Sequence, residues 1–224
     1  LDEVSNAIWY LQEHFLPAGG EVLQELGRAF EDVHGGPLDP QPVLALGSWV
    51  GGDRDGNPYV TPEITLAACW RNAHTVVRDY EGQLRRLGEQ LSLSSRIHAA
   101  PQQLLQALDG VREQLPDIWS QRRGHDTDEP VRVMLSLMVA RLRATARQLE
   151  DWDRGHTDEV PGAYHGVEEL EADLGLVQHA LRGAGAERTL RMVLEPLLLR
   201  IRLFGFHGLQ LDVRDESDVH REAV

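Results

Sequence analysis

Residues 47–62 read Gly-Ser-Trp-Val-Gly-Gly-Asp-Arg-Asp-Gly-Asn-Pro-Tyr-Val-Thr-Pro, and they determine how the rest of the chain is interpreted. The residues just before them are apolar, which predicts a short buried strand near residues 43–49. At the other end, Thr61 is a suitable helix N-cap and Pro62 suits the first helical position. The stretch therefore predicts a strand, a tight polar loop and a long helix.

The polar part of this stretch, residues 51–58, is called the glycine loop below. Its glycines allow sharp turns and close approach to a ligand. A structural turn braced by Asp–Arg pairs and an anion site built on Arg54 and backbone amides both fit this composition. A calcium loop of the EF-hand type does not fit the glycine spacing, and a phosphate loop of the Walker type needs a lysine, which this chain lacks. The residues expected to build the loop are Gly51, Gly52, Asp53, Asp55, Gly56 and Asn57.

The composition excludes several classes of protein. With 22 basic and 36 acidic residues the net charge is −14, which argues against binding to nucleic acid or to an anionic membrane surface. No apolar run is long enough to span a membrane. The single cysteine, Cys69, excludes an intrachain disulfide and a cysteine-based zinc site. We expect Cys69 to be a core residue and the protein to reside in a reducing cytoplasm.

Apolar residues recur at helical spacing along most of the chain. Pro17 and the Gly19-Gly20 pair are expected to separate the first two helices, the second of which carries an apolar stripe at residues 22, 26, 30 and 33. Pro196 predicts a kink near Glu195. The predicted helices cover residues 2–16, about 22–33, 62–92, 100–114, 131–149, 167–181 and 190–204.

The periodicity changes from helical to alternating at residues 209–213, which predicts a second strand, followed at Asp215 by the start of a final helix. Two strands separated by about 160 residues cannot form an ordinary sheet alone. A strand followed by a polar loop and a helix is typical of a (β/α) barrel. The predicted fold is mainly α: a helical bundle with two strands of an incomplete (β/α)8 TIM-like barrel. Residues 1–224 form a single fragment: helices, strand and loop (1–61), a helical insert (62–204) and a strand with the start of a helix (205–224).

Three segments resemble the phosphoenolpyruvate carboxylase family. The most specific is the glycine loop followed by Val-Thr-Pro-Glu-Ile-Thr at residues 60–65. The second is Phe204-Gly205 together with Leu-Gln-Leu-Asp-Val-Arg-Asp-Glu-Ser at residues 209–217. A weaker match lies at residues 2–11. Their order and separation agree with the family, so the resemblance spans the whole chain.

The resemblance implies a carboxy-lyase that joins bicarbonate to phosphoenolpyruvate, giving oxaloacetate and phosphate for the tricarboxylic acid cycle with Mg²⁺ or Mn²⁺ as cofactor. Family members are allosteric homotetramers, so a homo-oligomer is implied. Arg214 matches the arginine assigned to the substrate phosphate, although a salt bridge with Asp212 or Glu216 is the alternative. Arg54 matches the arginine at the mouth of the active site. Asp53 and Asp55 would orient Arg54 or brace the glycine turn.

Several functional parts of the family are absent from this sequence. The catalytic histidine in its Thr-Ala-His-Pro-Thr context, the catalytic lysine, the acidic metal ligands and the Gly-Arg-Gly-Gly loop are all missing. No catalytic residue and no metal ligand is therefore expected within these 224 residues, and the fragment alone should be inactive. Asp215 stands where the family usually has glutamine. A non-catalytic module that binds a phosphorylated metabolite, or a helical module for oligomerisation, remains the alternative.

Overall fold

The structure, a computed structural model, describes residues 2–36, 38, 44–121, 128–217 and 221, and most of these are helical. Val43 of the first predicted strand and most of the predicted final helix after Asp215 lie outside the described residues. Within the described ranges no helix is long and apolar enough to cross a membrane. The helices are α1 (Asp2–Tyr10), α2 (Leu16–His34), α3 (Pro62–Gln90), α4 (Gln102–Gln114), α5 (Pro116–Ser120), α6 (Pro130–Asp153), α7 (Val167–Gly183), α8 (Glu187–Thr189) and α9 (Glu195–Phe204).

The core forms where α3 and α6 pack along each other. In both helices apolar residues recur at alternating spacings of four and three residues, as predicted, and this spacing gives each helix a continuous apolar stripe. Val77 and Tyr80 of α3 and Met138 and Leu142 of α6 are completely buried. The predicted helices at 62–92, 100–114, 131–149 and 167–181 are therefore present with small shifts at their ends. Because α3 begins directly after the glycine loop, this packing fixes the position of the loop.

The predicted break at Pro17 and Gly19-Gly20 is wrong, because the chain stays helical from Asp2 to His34. Helix α1 passes into α2 through a π-helical turn at Leu11–Phe15, whose C-cap Leu16 donates its N–H to the Leu11 carbonyl, five residues back. The turn changes the hydrogen-bond register just ahead of the proline, which has no N–H to contribute. The glycines serve packing: a Cβ on Gly19 would lie 2.7 Å from Leu203 Cδ2 on α9.

The predicted apolar stripe of the second helix does not face the core. Val22, Leu26 and Val33 are 50%, 42% and 76% exposed. The buried residues of α2 lie on another face and contact α9. They are Leu16, Gly19, Gly20 and Leu23.

At Pro196 the structure repeats the arrangement seen at Pro17. A π-helical turn at Leu190–Leu194 precedes α9, and its C-cap Glu195 donates its N–H to the Leu190 carbonyl. The structure therefore has a π-helical turn at the place where the sequence predicts a kink. The two prolines lie on helices that pack together, because α2 and α9 share an extensive contact.

Two short strands, β1 (Gly47–Ser48) and β2 (Gln210–Leu211), form a parallel pair with Gly47 opposite Gln210. Both predicted strands exist but are shorter than the predicted 43–49 and 209–213. Leu209 is buried, whereas Val213 at the far end of the predicted apolar face is 56% exposed. The described residues form a two-stranded sheet and no closed barrel.

The prediction that Cys69 belongs to the core is wrong, because Cys69 is exposed. It lies near the start of α3, where Leu66 is also 49% exposed, whereas the adjacent Ala68 is completely buried. Cys69 lines an open groove of about 570 Å³ formed by α3, α7 and α9. Partial burial raises the pKa of the Cys69 thiol, so the thiolate is not favoured there.

Candidate functional site

The glycine loop turns immediately after β1 and returns to the end of β2. The N–H groups of Gly52 and Asp53 both donate to the Trp49 carbonyl, at 2.9 and 3.0 Å. Gly51 has φ +86°, and a Cβ there would lie 2.7 Å from the Cβ of Ala68. A Cβ on Gly52 would overlap the Asp212 carbonyl oxygen. The first two glycines therefore permit the loop to lie against both α3 and the second strand.

Backbone hydrogen bonds join the loop directly to the end of the second strand. The Arg214 N–H donates to the Gly52 carbonyl, and the Arg54 N–H donates to the Arg214 carbonyl, both at 2.9 Å. Asp53 and Arg214 form a parallel bridge that continues the pairing of β1 with β2. The structure thus brings the main chains of Arg54 and Arg214 together, although about 160 residues separate them in the sequence.

The Arg54 side chain lies between the first turn of α3 and the segment after β2. Its Nη2 donates to Thr65 Oγ1 at 3.4 Å, and its Nη1 lies 3.9 Å from Asp215 Oδ2. Thr65 Oγ1 donates to the Gly51 carbonyl at 2.8 Å, which ties the helix to the loop. The side chain of Arg54 is 27% exposed. Its guanidinium is therefore largely held by the protein.

The aspartates of the loop do not hold Arg54. Within the described residues, no carboxylate oxygen of Asp53 or Asp55 lies at ion-pair distance from Arg54; the pairing carboxylate belongs to Asp215. Asp53 Oδ1 accepts the Asp55 N–H at 3.3 Å, which closes the turn.

The end of the loop is a second turn. The Asn57 N–H donates to the Arg54 carbonyl at 3.1 Å, and Asn57 Oδ1 accepts the Tyr59 N–H at 3.1 Å. Gly56 has φ +66°, a conformation that favours glycine. The structure therefore places Asp53, Gly56 and Asn57 in backbone-shaping contacts.

Arg214 is the more accessible of the two arginines. Its side chain is 50% exposed, and its Nη2 lies 3.8 Å from Asp212 Oδ2. Its Cζ lies 4.9 Å from the centroid of the Trp49 ring, in a cation–π contact. The guanidinium therefore packs against an aromatic ring and is half exposed to solvent, and such a group can bind a phosphate through two parallel hydrogen bonds.

Three residues of this site were missed by the sequence interpretation: Trp49, Thr65 and Asp215 as the partners of the arginines. Trp49 lies two residues before the glycine loop, and an aromatic ring beside a cationic site is a usable signal. The signal for Thr65 is its position one turn into α3 from the N-cap Thr61. The contact of Asp215 with Arg54 depends on the pairing of two distant segments, which local sequence does not reveal.

The described residues offer no metal site at these arginines. No group of three or more histidine, cysteine, aspartate or glutamate side chains in the described ranges is placed to hold a metal ion. Glu63, on the first turn of α3, has a lowered pKa because the Thr61 side chain hydrogen-bonds to it; Arg54 adds a smaller electrostatic effect. The cationic groups that the described residues offer here are the guanidiniums of Arg54 and Arg214, and a guanidinium is suited to binding an anion.

The fold and the site define a mainly helical chain in which two parallel strands and a glycine loop carry two arginines whose main chains are hydrogen-bonded to each other. A family model described as phosphoenolpyruvate carboxylase matches residues 1–224. Because this match covers the whole chain, the chain belongs to the phosphoenolpyruvate carboxylase family.

Individual relatives agree with the family match. The chain is 36% identical over 230 residues to a phosphoenolpyruvate carboxylase of Ralstonia nicotianae and 36% identical over 242 residues to one of an Azoarcus species. It is 34% identical over 224 residues to one of Xanthomonas oryzae pv. oryzae. Each comparison covers 100% of this chain but only 22–24% of the relative. The chain thus spans about a quarter of the length of the curated relatives it matches.

Proposed function

We propose that this chain is part of an enzyme that carboxylates phosphoenolpyruvate with bicarbonate to give oxaloacetate and phosphate. Membership of the family supports the reaction, and the backbone bridge between Asp53 and Arg214 carries the proposal for the site. That bridge holds the main chain of Arg54, at the glycine loop, next to that of Arg214, after β2. In the proposed site an anionic metabolite meets both cations.

Arg214 is the proposed phosphate contact. Its exposure, its contact with the Trp49 ring and the 3.8 Å separation from Asp212 leave guanidinium donors free to face a substrate. Arg54 is the proposed second cation at the mouth of the site. Gly51, Gly52, Asp53, Asp55, Gly56 and Asn57 are proposed as loop support.

We also propose that β1 and β2 are neighbouring strands of a larger (β/α)8 barrel. Both site arginines follow the C-terminal ends of these parallel strands, which is where functional residues of such barrels lie. A parallel pair of two-residue strands has too few hydrogen bonds to be stable by itself. The other strands would come from parts of the polypeptide outside these 224 residues.

The remaining chemistry is assigned to other parts of the polypeptide. Bound Mg²⁺ or Mn²⁺ would stabilise the charge of an enolate, and its ligands are expected outside this chain. The histidine and lysine that the family uses are likewise expected elsewhere. A homotetramer, allosteric control and a cytoplasmic location complete the proposal, on the strength of the family resemblance.

The test is bicarbonate-dependent release of phosphate from phosphoenolpyruvate by the full-length polypeptide supplied with Mg²⁺. We expect turnover by the full-length protein and none by the 224-residue chain alone. A folded, metal-loaded full-length protein that binds phosphoenolpyruvate without turnover would instead favour a non-catalytic binding module. A full-length protein that does neither would leave only an oligomerisation role.

A further inference from the structure

Two groups that lie far apart in the sequence hold the side chain of Arg54. Thr65, one turn into α3, accepts a hydrogen bond from Nη2 at 3.4 Å. Asp215, just after the second strand, lies 3.9 Å from Nη1, with only 21% of its side chain exposed. Arg54 therefore connects the helix that follows the glycine loop to the segment that follows β2.

The third nitrogen of the Arg54 guanidinium, Nε, makes this side-chain position unfavourable unless other contacts stabilise it. This nitrogen is buried and has no hydrogen-bond partner in the described part of the chain. A buried donor without an acceptor is unfavourable, whereas water would satisfy the same group at the surface. The contacts with Thr65 and Asp215 therefore oppose a movement of the guanidinium into solvent.

The ion pair contributes orientation more than stability. A separation of 3.9 Å between two partly exposed groups gives a weak pair. The Arg54 main chain, however, is hydrogen-bonded to the Arg214 carbonyl at 2.9 Å. This hydrogen bond links the main chains of the two arginines, and the contacts with Thr65 and Asp215 orient the Arg54 side chain relative to that link.

We propose that Asp215 and Thr65 are positioning residues that hold Arg54 beside Arg214, so that both cations meet one anionic substrate. This inference rests on the proposed function.

The test is a set of variants of the full-length polypeptide, assayed with phosphoenolpyruvate. Asp215→Asn and Thr65→Val should each raise KM for phosphoenolpyruvate by about twofold to tenfold, the lower part of the range for residues coupled to a neighbour, because both contacts are long. We expect kcat to change by less than about twofold, because neither residue reaches the reacting atoms. In an Arg54→Ala background, Asp215→Asn should cause no further increase in KM, since it acts through Arg54.

Matched controls exist for both variants. Asp153→Asn removes a carboxylate that pairs with Arg71 at 3.1 Å, away from the site. Thr75→Val removes an α3 hydroxyl that donates only to the Arg71 carbonyl of its own helix. Both control substitutions should leave KM unchanged. Asp215→Glu keeps the negative charge, so its KM should lie much closer to the wild-type value than that of Asp215→Asn.

An unchanged KM in Asp215→Asn, or an equal increase in the presence and absence of Arg54, would overturn the inference. Circular dichroism of each variant shows whether it is folded. If the wild-type protein binds phosphoenolpyruvate but does not turn over, the proposed reaction fails, and the same cycle measured on the dissociation constant decides the role of Asp215. A wild-type protein that does not bind phosphoenolpyruvate contradicts both proposals.

Discussion

Among single residues, Asp173 shows how the fold tolerates charge in its interior. Its carboxylate accepts hydrogen bonds from the Tyr164 hydroxyl at 2.8 Å and from Arg141 Nη1 at 3.1 Å. Arg141 also lies 3.8 Å from the centroid of the Tyr164 ring. Burial nevertheless raises the pKa of Asp173, because the loss of hydration outweighs these partners. This cluster fixes the start of α7 against α6.

The raised pKa of Asp173 predicts a definite dependence of stability on pH. The folded state binds the Asp173 proton more tightly than the unfolded state, so the resulting stabilisation is complete below the ordinary pKa of 3.8. It is lost as the pH rises through the raised pKa of the folded state. The free energy of unfolding of the wild type relative to Asp173→Asn should therefore fall over this window, as measured by urea unfolding at a series of pH values. A difference that stays constant or grows with pH would contradict the assignment.

The sequence predicts single residues of the candidate site better than it predicts their partners. The glycine loop and both arginines could be selected from their motifs. The partners could not, because Arg54 meets Asp215 only after residues 47–48 pair with 210–211. Asp53 and Asp55, which are adjacent to Arg54 in sequence, were the obvious candidates for its partner. The backbone of the loop directs the guanidinium toward α3 and β2 instead.

Among the elements, the contact between α2 and α9 depends on small residues. A Cβ on Gly19 would lie 2.7 Å from Leu203 Cδ2 and 2.8 Å from Phe204 Cε2, and one on Gly20 would lie 3.1 Å from the Pro196 carbonyl oxygen. The same glycines led to a predicted break in the helix. Glycine weakens a helix only modestly, and here close packing compensates for that cost.

Gly19→Ala should destabilise the chain by about 1–3 kcal/mol, since the added methyl group overpacks a buried contact. Gly27→Ala is the matched control: it lies on the same helix, and a Cβ there would meet nothing within 4 Å. That substitution should stabilise the chain by up to about 1 kcal/mol through helix propensity. Chemical unfolding of both variants compares them directly. Equal effects of the two substitutions would show that α2 does not pack on α9 in this way.

Apolar periodicity predicted most helices because the core of α3 and α6 uses the repeat that the sequence displays. It failed for α2, where Val22, Leu26 and Val33 are exposed. A repeat identifies an apolar face but not the surface that covers it. The π-turn ahead of Pro17 was missed, and the irregularity ahead of Pro196 was predicted as a kink and not as a π-turn. The form of both turns depends on how the chain accommodates a proline within packed helices.

In the whole molecule, a helical body holds a small parallel sheet at which two distant segments meet. The Tyr80 hydroxyl of α3 donates to the Gly205 carbonyl at 2.8 Å, so the central helix also fixes the approach to β2. The glycine loop precedes α3, and Arg214 follows β2. Both sides of the site are therefore connected to the same core helix.

Arg54 and Arg214 are proposed to bind one anionic metabolite together. The most direct measurement is the dissociation constant of phosphoenolpyruvate for the full-length polypeptide, determined by calorimetry. Arg214→Ala should weaken binding by about tenfold to a hundredfold, the usual value of a charge-assisted hydrogen bond, and Arg54→Ala should weaken it less. The control Arg112→Ala, which removes an exposed pair with Asp109 on α4, should have no effect. An unchanged dissociation constant in a folded Arg54→Ala/Arg214→Ala double variant would contradict binding of the metabolite by these arginines.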